Sequence, residues 1–289
     1  MARSNVETMS TVIDIRNLSA RSAAGAILRD VSLTVNAGEA MALVGESGAG
    51  KSTIAKAVLG ILPAAIRITG GEILFDGQDL LKLSPAQIRE LLGVHIALIP
   101  QDPLTSLNPS RRIGDQLTDG LRLRAKLNRA DAMTKALVLL NNVHIRDPEL
   151  VLKRYPHELS GGMRQRVLIA QAFSLNPRVI IADEPTTALD VTVQKQVLRL
   201  IRQLQRDHGT TLLFVTHDLG VVAQICDRMT VLYGGKVLEQ GSTAEILRNP
   251  QHRYTRALLA ANPRYDQPEQ RLKPVPDDLI ADLKREIAS

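Results

Sequence analysis

One stretch decides the fold of this chain: Gly45-Glu46-Ser47-Gly48-Ala49-Gly50-Lys51-Ser52. It fits the pattern G-x-x-x-x-G-K-[ST], in which a glycine-rich loop holds phosphate groups. The apolar residues 41–44 precede it and predict a buried strand. Residues 53–60 follow it, and their spaced apolar side chains predict a helix packed on that strand. Strand, loop and helix therefore come in the order that phosphate binding requires, which makes a chance glycine-rich turn the weaker interpretation.

The chemistry of this loop follows from its backbone. Glycines let successive N–H groups turn inward, and the helix that follows presents its positive dipole end to the same anion. Lys51 adds a mobile cation, and the Ser52 hydroxyl is placed to hold Mg²⁺. The predicted phosphate contacts are Gly45, Glu46, Ser47, Gly48, Ala49, Gly50, Lys51, Ser52 and Thr53.

Composition favours a folded chain with a large core. Of its 289 residues 44% are hydrophobic but only 2% are aromatic, so the core must rest on aliphatic side chains, as in helix-covered parallel sheets. The net charge of +6 is spread among interleaved acidic and basic residues and indicates a solvated basic surface. The first residues lack a signal-peptide pattern, no run is long enough to span a membrane, and Cys226, the single cysteine, fits a reducing compartment.

The hydrophobic patterns along the chain predict both strands and helices, and therefore a mixed α/β protein. Residues 12–18, 31–35 and 70–77 predict an antiparallel β subdomain beside the loop. Buried strands are predicted at 94–100, 179–184 and 211–216, a helix at 192–207, and a hairpin at 229–241 that turns at Gly234-Gly235. Residues 102–176 have helical spacing and predict an inserted α-helical subdomain. Residues 262–278 predict an extended surface segment and 279–287 a short helix.

Polar side chains end three of the buried strands. Gln101, Asp183 with Glu184, and His217 each follow a strand, and in open parallel sheets ligands bind at the carboxyl edge. We expect Asp183 to hold Mg²⁺ opposite Ser52, and Glu184 to orient or deprotonate water if the backbone turns there. His217 is expected at the terminal phosphate or that water, and Gln101 at Mg²⁺ or the water. The alternatives are a surface carboxylate for Glu184 and a structural role for His217.

A second glycine turn, Leu159-Ser160-Gly161-Gly162-Met163, opens another predicted helix, with Ser160 as its N-cap. It is a second helix start suited to an anion. One interpretation is an ordinary capped helix, and the other is a site for a nucleotide held by a second copy or a relative of this chain.

Together these motifs resemble the ATP-binding subunit of an ABC transporter over residues 12–265. The resemblance implies an α/β P-loop NTPase (RecA-like) fold: a mixed sheet core, an N-terminal antiparallel β subdomain and an inserted α-helical subdomain. It implies an ABC ATPase domain at 1–245, with the helical subdomain at about 102–176, and a C-terminal family-specific extension at 246–289. It also implies hydrolysis of ATP with Mg²⁺ in a site shared by two subunits.

In such a site one subunit's phosphate loop faces the partner's Ser160, Gly161 and Gly162. Asp190, in the Ala188-Leu189-Asp190 turn, then links the two sites, and Gln101 couples the nucleotide to the permease.

Finer motifs resemble the oligopeptide/dipeptide/nickel importers. They are Gln101-Asp102-Pro103 with Ser106-Leu107-Asn108-Pro109, the run from Tyr155 to Met163, and the run from Pro250 to Leu259. The expected partners are a second ABC ATPase subunit, either a copy or a paralogue, two transmembrane permease subunits and, indirectly, an external solute-binding protein. No nucleic-acid partner is expected. The expected location is the cytoplasmic face of the cell membrane.

Two departures from that family accompany the resemblance. The family normally has an aromatic residue near positions 20–22 that stacks on adenine, but no Phe, Tyr or Trp precedes Phe75. Either Arg21 or an aliphatic side chain must replace it, or base contact is weak. With one cysteine, the chain also cannot form the C-terminal iron-sulfur motif of many branch members.

Three other functions compete with the importer interpretation. The alternative from another class is a soluble ABC-type ATPase acting on nucleic acid or ribosomes. Such chains generally carry long coiled-coil insertions, zinc cysteines or a duplicated cassette, none of which is present in this sequence. An exporter ATPase is disfavoured by the branch motifs, and a non-hydrolysing regulator by the complete set Lys51, Asp183, Glu184 and His217.

Overall fold

The computed structural model describes residues 10–187, 189–261 and 275–288, except for the side chain of Ala288, and in these ranges the strands form two sheets. The four-stranded sheet is antiparallel, in the order β2-β1-β4-β5, and contains β1 (Thr11–Ser22), β2 (Gly25–Asn36), β4 (Arg67–Phe75) and β5 (Gln78–Asp79). The six-stranded sheet has the order β10-β9-β3-β8-β7-β6 and contains β3 (Ala40–Val44), β6 (Ile96–Ile99), β7 (Val179–Asp183), β8 (Thr211–Thr216), β9 (Arg228–Tyr233) and β10 (Lys236–Ser242). Its strands are parallel except for the antiparallel pair of β9 and β10, so the predicted mixed sheet is confirmed.

Helices cover the larger sheet and fill the insertion between β6 and β7. In chain order they are α1 (Lys51–Val58), α2 (Pro85–Leu91), α3 (Pro103–Ser106), α4 (Ile113–Arg124), α5 (Arg129–Asn142), α6 (Pro148–Lys153), α7 (Gly161–Phe173), α8 (Val191–His208), α9 (Leu219–Ile225), α10 (Thr243–Arg248), α11 (Arg253–Ala261) and α12 (Asp277–Ala288). Short 3₁₀ turns occupy Leu80–Lys82 and Pro156–Glu158. No described helix is both long enough and apolar enough to cross a bilayer.

The five parallel strands of the larger sheet are buried on both faces, which explains their mainly apolar sequences. Alternate residues of β3 serve two different cores. Met41 and Leu43 pack with the antiparallel sheet and α1, whereas Ala42 and Val44 join the core that includes α7, α8 and α9. The phosphate loop that follows β3 is thus attached to a strand held from both sides.

The inserted region is helical, as its spacing predicted. Ile113, Leu117 and Leu121, four residues apart, are all buried on one face of α4. The other end of the insertion leads through α7 back into β7. The chain between β6 and β7 is therefore mainly helical, and its buried hydrophobic residues join the same apolar cluster as Ala42 and Val44 of β3.

Some predicted boundaries were wrong. The helix after the loop begins at Lys51 and not at Thr53, because Gly50 already ends the loop in a left-handed conformation with φ of +100°. Asp277 and Asp278 open α12 and are not part of an extended segment, since acidic side chains are favourable in the first turn of a helix. Residues 262–274 of that predicted segment lie outside the described residues, as does Ala188 of the predicted turn.

Candidate nucleotide site

The phosphate loop has a backbone that excludes side chains at its first turn. Gly45 has φ of +153°, and a Cβ atom there would lie 2.2 Å from the carbonyl oxygen of Leu232. Gly48 and Gly50 also have positive φ. The loop ends directly at the first residue of α1, so the helix N-terminus and the curled backbone face the same space, as the sequence predicted.

The predicted Gly234-Gly235 turn contacts this loop. The Gly235 N–H donates to the Ala49 carbonyl at 3.2 Å, and the Gly235 carbonyl accepts from the Arg29 N–H at 2.9 Å. A Cβ on Gly235 would lie 2.1 Å from the Ile27 carbonyl oxygen. The turn was predicted from the sequence, but its contact with the phosphate loop was not.

Lys51 is buried and lies back along its own loop. Its Nζ donates to the carbonyl oxygens of Gly45 at 2.6 Å and Glu46 at 2.9 Å. Burial lowers the pKa of Lys51, and the negative charges of Glu184 and Asp183 act against that decrease. Its ammonium group is therefore a cation held at the loop by carbonyl groups and by neighbouring charges.

Ser52 and Asp183 meet where α1 begins and β7 ends. The Ser52 Oγ donates to Asp183 Oδ1 at 3.2 Å. Burial raises the pKa of the Asp183 carboxyl, and the hydrogen bond from Ser52 acts in the opposite direction. This hydroxyl and carboxylate are oxygen ligands of the kind that Mg²⁺ takes from a protein when phosphates supply the rest, so the residues fit that ion. The described residues contain no cluster of three or more His, Cys, Asp or Glu that would form an all-protein metal cage.

Glu184 is surrounded by polar partners at the end of β7. Its φ of +44° turns the backbone out of the strand, as predicted, while its N–H still donates to Val215 at 2.9 Å. Carboxylate Oε2 accepts from Gln101 Nε2 at 3.1 Å and from Thr187 Oγ1 at 3.1 Å. The other oxygen, Oε1, lies 3.1 Å from His217 Nδ1. The strand ends therefore converge on one carboxylate.

The strand order explains this convergence. Because β3, β8, β7 and β6 are neighbours and parallel, their carboxyl ends bring the phosphate loop, His217, Glu184 and Gln101 to one edge. Thr187 is the member of the group that sequence reasoning missed. A threonine three residues beyond a strand carries no distinctive signal, since its role depends on how the chain turns.

The second glycine turn lies apart from this group. Ser160 caps α7, its Oγ accepting from the Met163 N–H at 3.3 Å, and Asp190 caps α8 through the N–H groups of Thr192 and Val193. A Cβ on Gly162 would lie 2.9 Å from Val193 Cγ1, so the two helix starts are neighbours. Among the residues the structure describes, no hydrogen bond or ion pair joins Ser160, Gly161, Gly162 or Asp190 to the phosphate loop. Arg21, the suggested adenine contact, lies exposed on β1 opposite Ala26, and its role stays a prediction.

Comparison with known families agrees with this geometry. The profile of the ABC transporter family matches residues 28–187, which contain the phosphate loop, the helical insertion and Glu184. The chain belongs to the ABC transporter family. A second profile, the C-terminal region of oligopeptide/dipeptide transporters, matches residues 238–285. That match covers α10 and α11 and most of α12.

Relatives in this family are transport ATP-binding proteins. A probable peptide ABC transporter ATP-binding protein of Sinorhizobium fredii is 49% identical over 237 residues, 82% of this chain and 71% of the relative. The dipeptide transport ATP-binding protein DppD of Bacillus subtilis is 44% identical over 281 residues, 94% of this chain and 84% of the relative. The chain is thus an ATP-binding subunit of the ABC type, and nothing in these relatives favours the alternative of an ATPase acting on nucleic acid or ribosomes.

A solved structure is similar in fold and carries nucleotide. The dimeric ATP-binding cassette MJ0796, in a post-hydrolysis state bound to ADP and Pi, has a TM-score of 0.71 at 26% identity. The alignment covers 80% of this chain and 98% of that chain. The P-loop α/β fold predicted from the sequence is confirmed, and the family identifies the chain as an ATPase.

Proposed function

We propose that Glu184 activates the water that attacks the terminal phosphate of ATP in this ABC ATPase. The observation that carries the proposal is the arrangement of Gln101, Thr187 and His217 around its carboxylate, each within 3.1 Å of one of its oxygens. A carboxylate fixed by donors on its sides can hold a water in line with the phosphate and accept its proton.

Other residues of the site bind the substrate. Lys51 would exchange the carbonyl oxygens of Gly45 and Glu46 for phosphate oxygens, since its ammonium already lies at the loop. Ser52 and Asp183 would hold Mg²⁺, which supplies charge neutralisation of the phosphates when bound. The Gln101 Nε2 donates to Glu184, and the Gln101 Oε1 would accept from a water or contact Mg²⁺. His217 would hydrogen-bond the terminal phosphate.

Two subunits would complete each site. Ser160, Gly161 and Gly162 start α7 beside Asp190 at the start of α8, where they are exposed or half-buried and separate from their own phosphate loop. This supports a dimer in which these residues face the partner's nucleotide, with Asp190 linking the two sites. The partner is a copy or a paralogue of this chain.

The transport role is that of an importer of the peptide or nickel type. It is supported by the names of the relatives and by the match of residues 238–285 to oligopeptide/dipeptide transporters. ATP-driven closing of the dimer would drive solute uptake through two permease subunits, to which an external binding protein delivers the solute. This chain would lie at the cytoplasmic face of the membrane. The division into a cassette at 1–245 and an extension at 246–289 belongs to the same proposal.

Reconstitution tests the proposal. The purified chain is combined in lipid nanodiscs with candidate partner ATPase and permease subunits from the same organism, and vanadate-sensitive ATP turnover is measured. Lys51→Ala serves as the variant that lacks the phosphate-loop cation, and Lys126→Ala as a matched control on the exposed surface. We expect turnover that rises when permeases and a peptide-loaded binding protein are present, loss in Lys51→Ala, and no change in Lys126→Ala.

Two results would contradict the importer. Turnover that responds to DNA, RNA or ribosomes and not to permeases would favour the soluble alternative. ATP binding without turnover in the complete assembly would favour a regulatory subunit.

A further inference from the structure

A cavity of about 400 Å³ lies beside the phosphate loop, and one of its walls is the C-terminal helix α12. We call it the α12 cavity. The phosphate loop contributes residues 46–49, and α12 contributes Lys284 and Ile287. Arg29 of β2, Tyr233 of β9 and Gly234 of the turn that follows complete the lining. A helix from the far end of the chain thus faces the residues that cradle phosphate.

Specific contacts hold α12 in this place. Leu283 is 1% exposed, and Ile287 packs so closely on Gly234 that a Cβ there would lie 2.7 Å from Ile287 Cδ1. Arg253 of α11 forms ion pairs with Asp282, at 3.7 Å, and with Glu286. Lys284 therefore projects from a helix that is anchored on both sides, and its position relative to the loop is fixed by packing.

The charges in the α12 cavity suit an anion. One guanidinium nitrogen of Arg29 donates to the Gly234 carbonyl at 2.6 Å, which holds this cation in the lining of the α12 cavity. Lys284 has a flexible four-carbon stem and three donors. Glu46 is the one carboxylate in the lining.

We propose that Lys284 binds a phosphate oxygen of the nucleotide, which adds a cation from α12 to the one that Lys51 supplies from the loop. The inference rests on the proposed function, namely that this loop holds ATP. A polyphosphate carries several negative charges against the single charge of Glu46, so it is the stronger partner for an ammonium group that lines the same cavity as Ser47 and Gly48. The extension would thereby take part in nucleotide binding directly.

Nucleotide binding by the full-length chain tests the inference. Dissociation constants for ATP, ADP and adenosine are measured with Mg²⁺ present for wild type, Lys284→Gln and Lys284→Arg. Arg285→Gln is the matched control, because it removes a charge from the next residue of α12, which forms an ion pair with Asp282. We expect Lys284→Gln to weaken ATP binding about fivefold, the size of a solvent-accessible charge-assisted hydrogen bond. The loss should be smaller for ADP and absent for adenosine, and Lys284→Arg should restore binding.

The outcomes separate this inference from the function on which it rests. If wild type binds ATP, Lys51→Ala does not, and Lys284→Gln binds like wild type, the inference is wrong and the proposed function stands. If wild type itself fails to bind ATP, both are wrong. An equal loss for all ligands, with a lower melting temperature of the nucleotide-free Lys284→Gln protein, would mean that Lys284 only stabilises α12 and makes no phosphate contact. That result would also overturn the inference.

Discussion

Thr187 donates its hydroxyl to Glu184 Oε2 at 3.1 Å, the same carboxylate oxygen that accepts the Gln101 amide. The Thr187 Oγ1 also lies 3.3 Å from the Glu184 carbonyl, so one hydroxyl contacts both the backbone and the side chain of the residue that leaves β7. Glu184 has a left-handed backbone, which few non-glycine residues adopt. Thr187 therefore stabilises a strained turn and fixes the direction of its carboxylate.

The first prediction concerns this positioning role. Thr187→Val removes the hydroxyl but keeps the shape, and we expect kcat for ATP hydrolysis to fall about tenfold, because the carboxylate loses one of the donors that orient it. KM for ATP should change less than twofold, since both hydrogen bonds described for the Thr187 hydroxyl are to Glu184 and not to the phosphate loop. Thr187→Ser should recover most of the rate. A fall in KM and kcat together, or no rescue by serine, would contradict a role through Glu184.

The second prediction concerns Glu184 itself. Glu184→Gln keeps the size and the hydrogen-bonding geometry of the side chain but removes the base, so kcat should fall at least about 100-fold while ATP still binds. Equilibrium binding and single-turnover hydrolysis measure the two effects separately. Glu149→Gln, on the exposed face of α6, is the matched control and should hydrolyse ATP at the wild-type rate. Retained turnover in Glu184→Gln would assign the base to another group.

Much of this site could be predicted from the sequence because its parts are local. The glycine pattern from Gly45 to Ser52 determines the conformation of the loop by itself. Polar residues at the carboxyl ends of neighbouring parallel strands lie at one edge of the sheet because of the strand order alone. The turn at Glu184 was predicted on the same grounds, as a strand end where the backbone is released. These features depend on neighbours in the chain or on strand direction, both of which are visible in a sequence.

Contacts between distant segments could not be predicted. Gly235 donates a hydrogen bond to the carbonyl of Ala49, although it lies 186 residues later in the chain. The helix α12 packs on Gly234 through Ile287. A helix pattern gives the apolar face of α12 but not the surface that the face covers. Sequence motifs therefore determine the positions of the loop and the strand-end residues, whereas tertiary packing determines where the Gly234-Gly235 turn and α12 lie.

The third prediction follows from the burial of Asp183. Because burial raises its folded-state pKa, the folded chain binds an extra proton between the unfolded and the folded pKa of this carboxyl, and stability decreases as pH rises through that window. Asp183→Asn should remove this cost and keep the hydrogen bond from Ser52. We expect its nucleotide-free melting temperature at neutral pH to exceed that of wild type.

Differential scanning fluorimetry over a pH series measures this effect. The difference between Asp183→Asn and wild type should shrink as the pH falls below the unfolded pKa of a carboxyl group. Addition of ATP with Mg²⁺ should raise the melting temperature of wild type more than that of the variant, because the variant lacks the carboxylate that suits the ion. A variant less stable than wild type at neutral pH would show that ionised Asp183 stabilises the fold through Ser52.

The last prediction tests how strongly the C-terminal extension is attached to the site. Tyr254 of α11 is fully buried, and its ring lies 4.7 Å from that of Tyr233, which lines the α12 cavity. Tyr254→Ala should lower the free energy of unfolding by about 3–5 kcal/mol, because it leaves a cavity of aromatic size between α11 and the sheet. Tyr254→Phe keeps the ring and should cost less than about 1.5 kcal/mol.

Urea unfolding measures these changes, with Tyr155→Ala as the matched control. Tyr155 is half-buried in the helical insertion, so its replacement should cost clearly less than that of Tyr254. Since Arg253, the neighbour of Tyr254, anchors α12 through Asp282 and Glu286, Tyr254→Ala should also weaken ATP binding to the extent that Lys284→Gln does. Equal costs for Tyr254→Ala and Tyr155→Ala, with unchanged ATP binding, would mean that the extension folds on the cassette without supporting its nucleotide site.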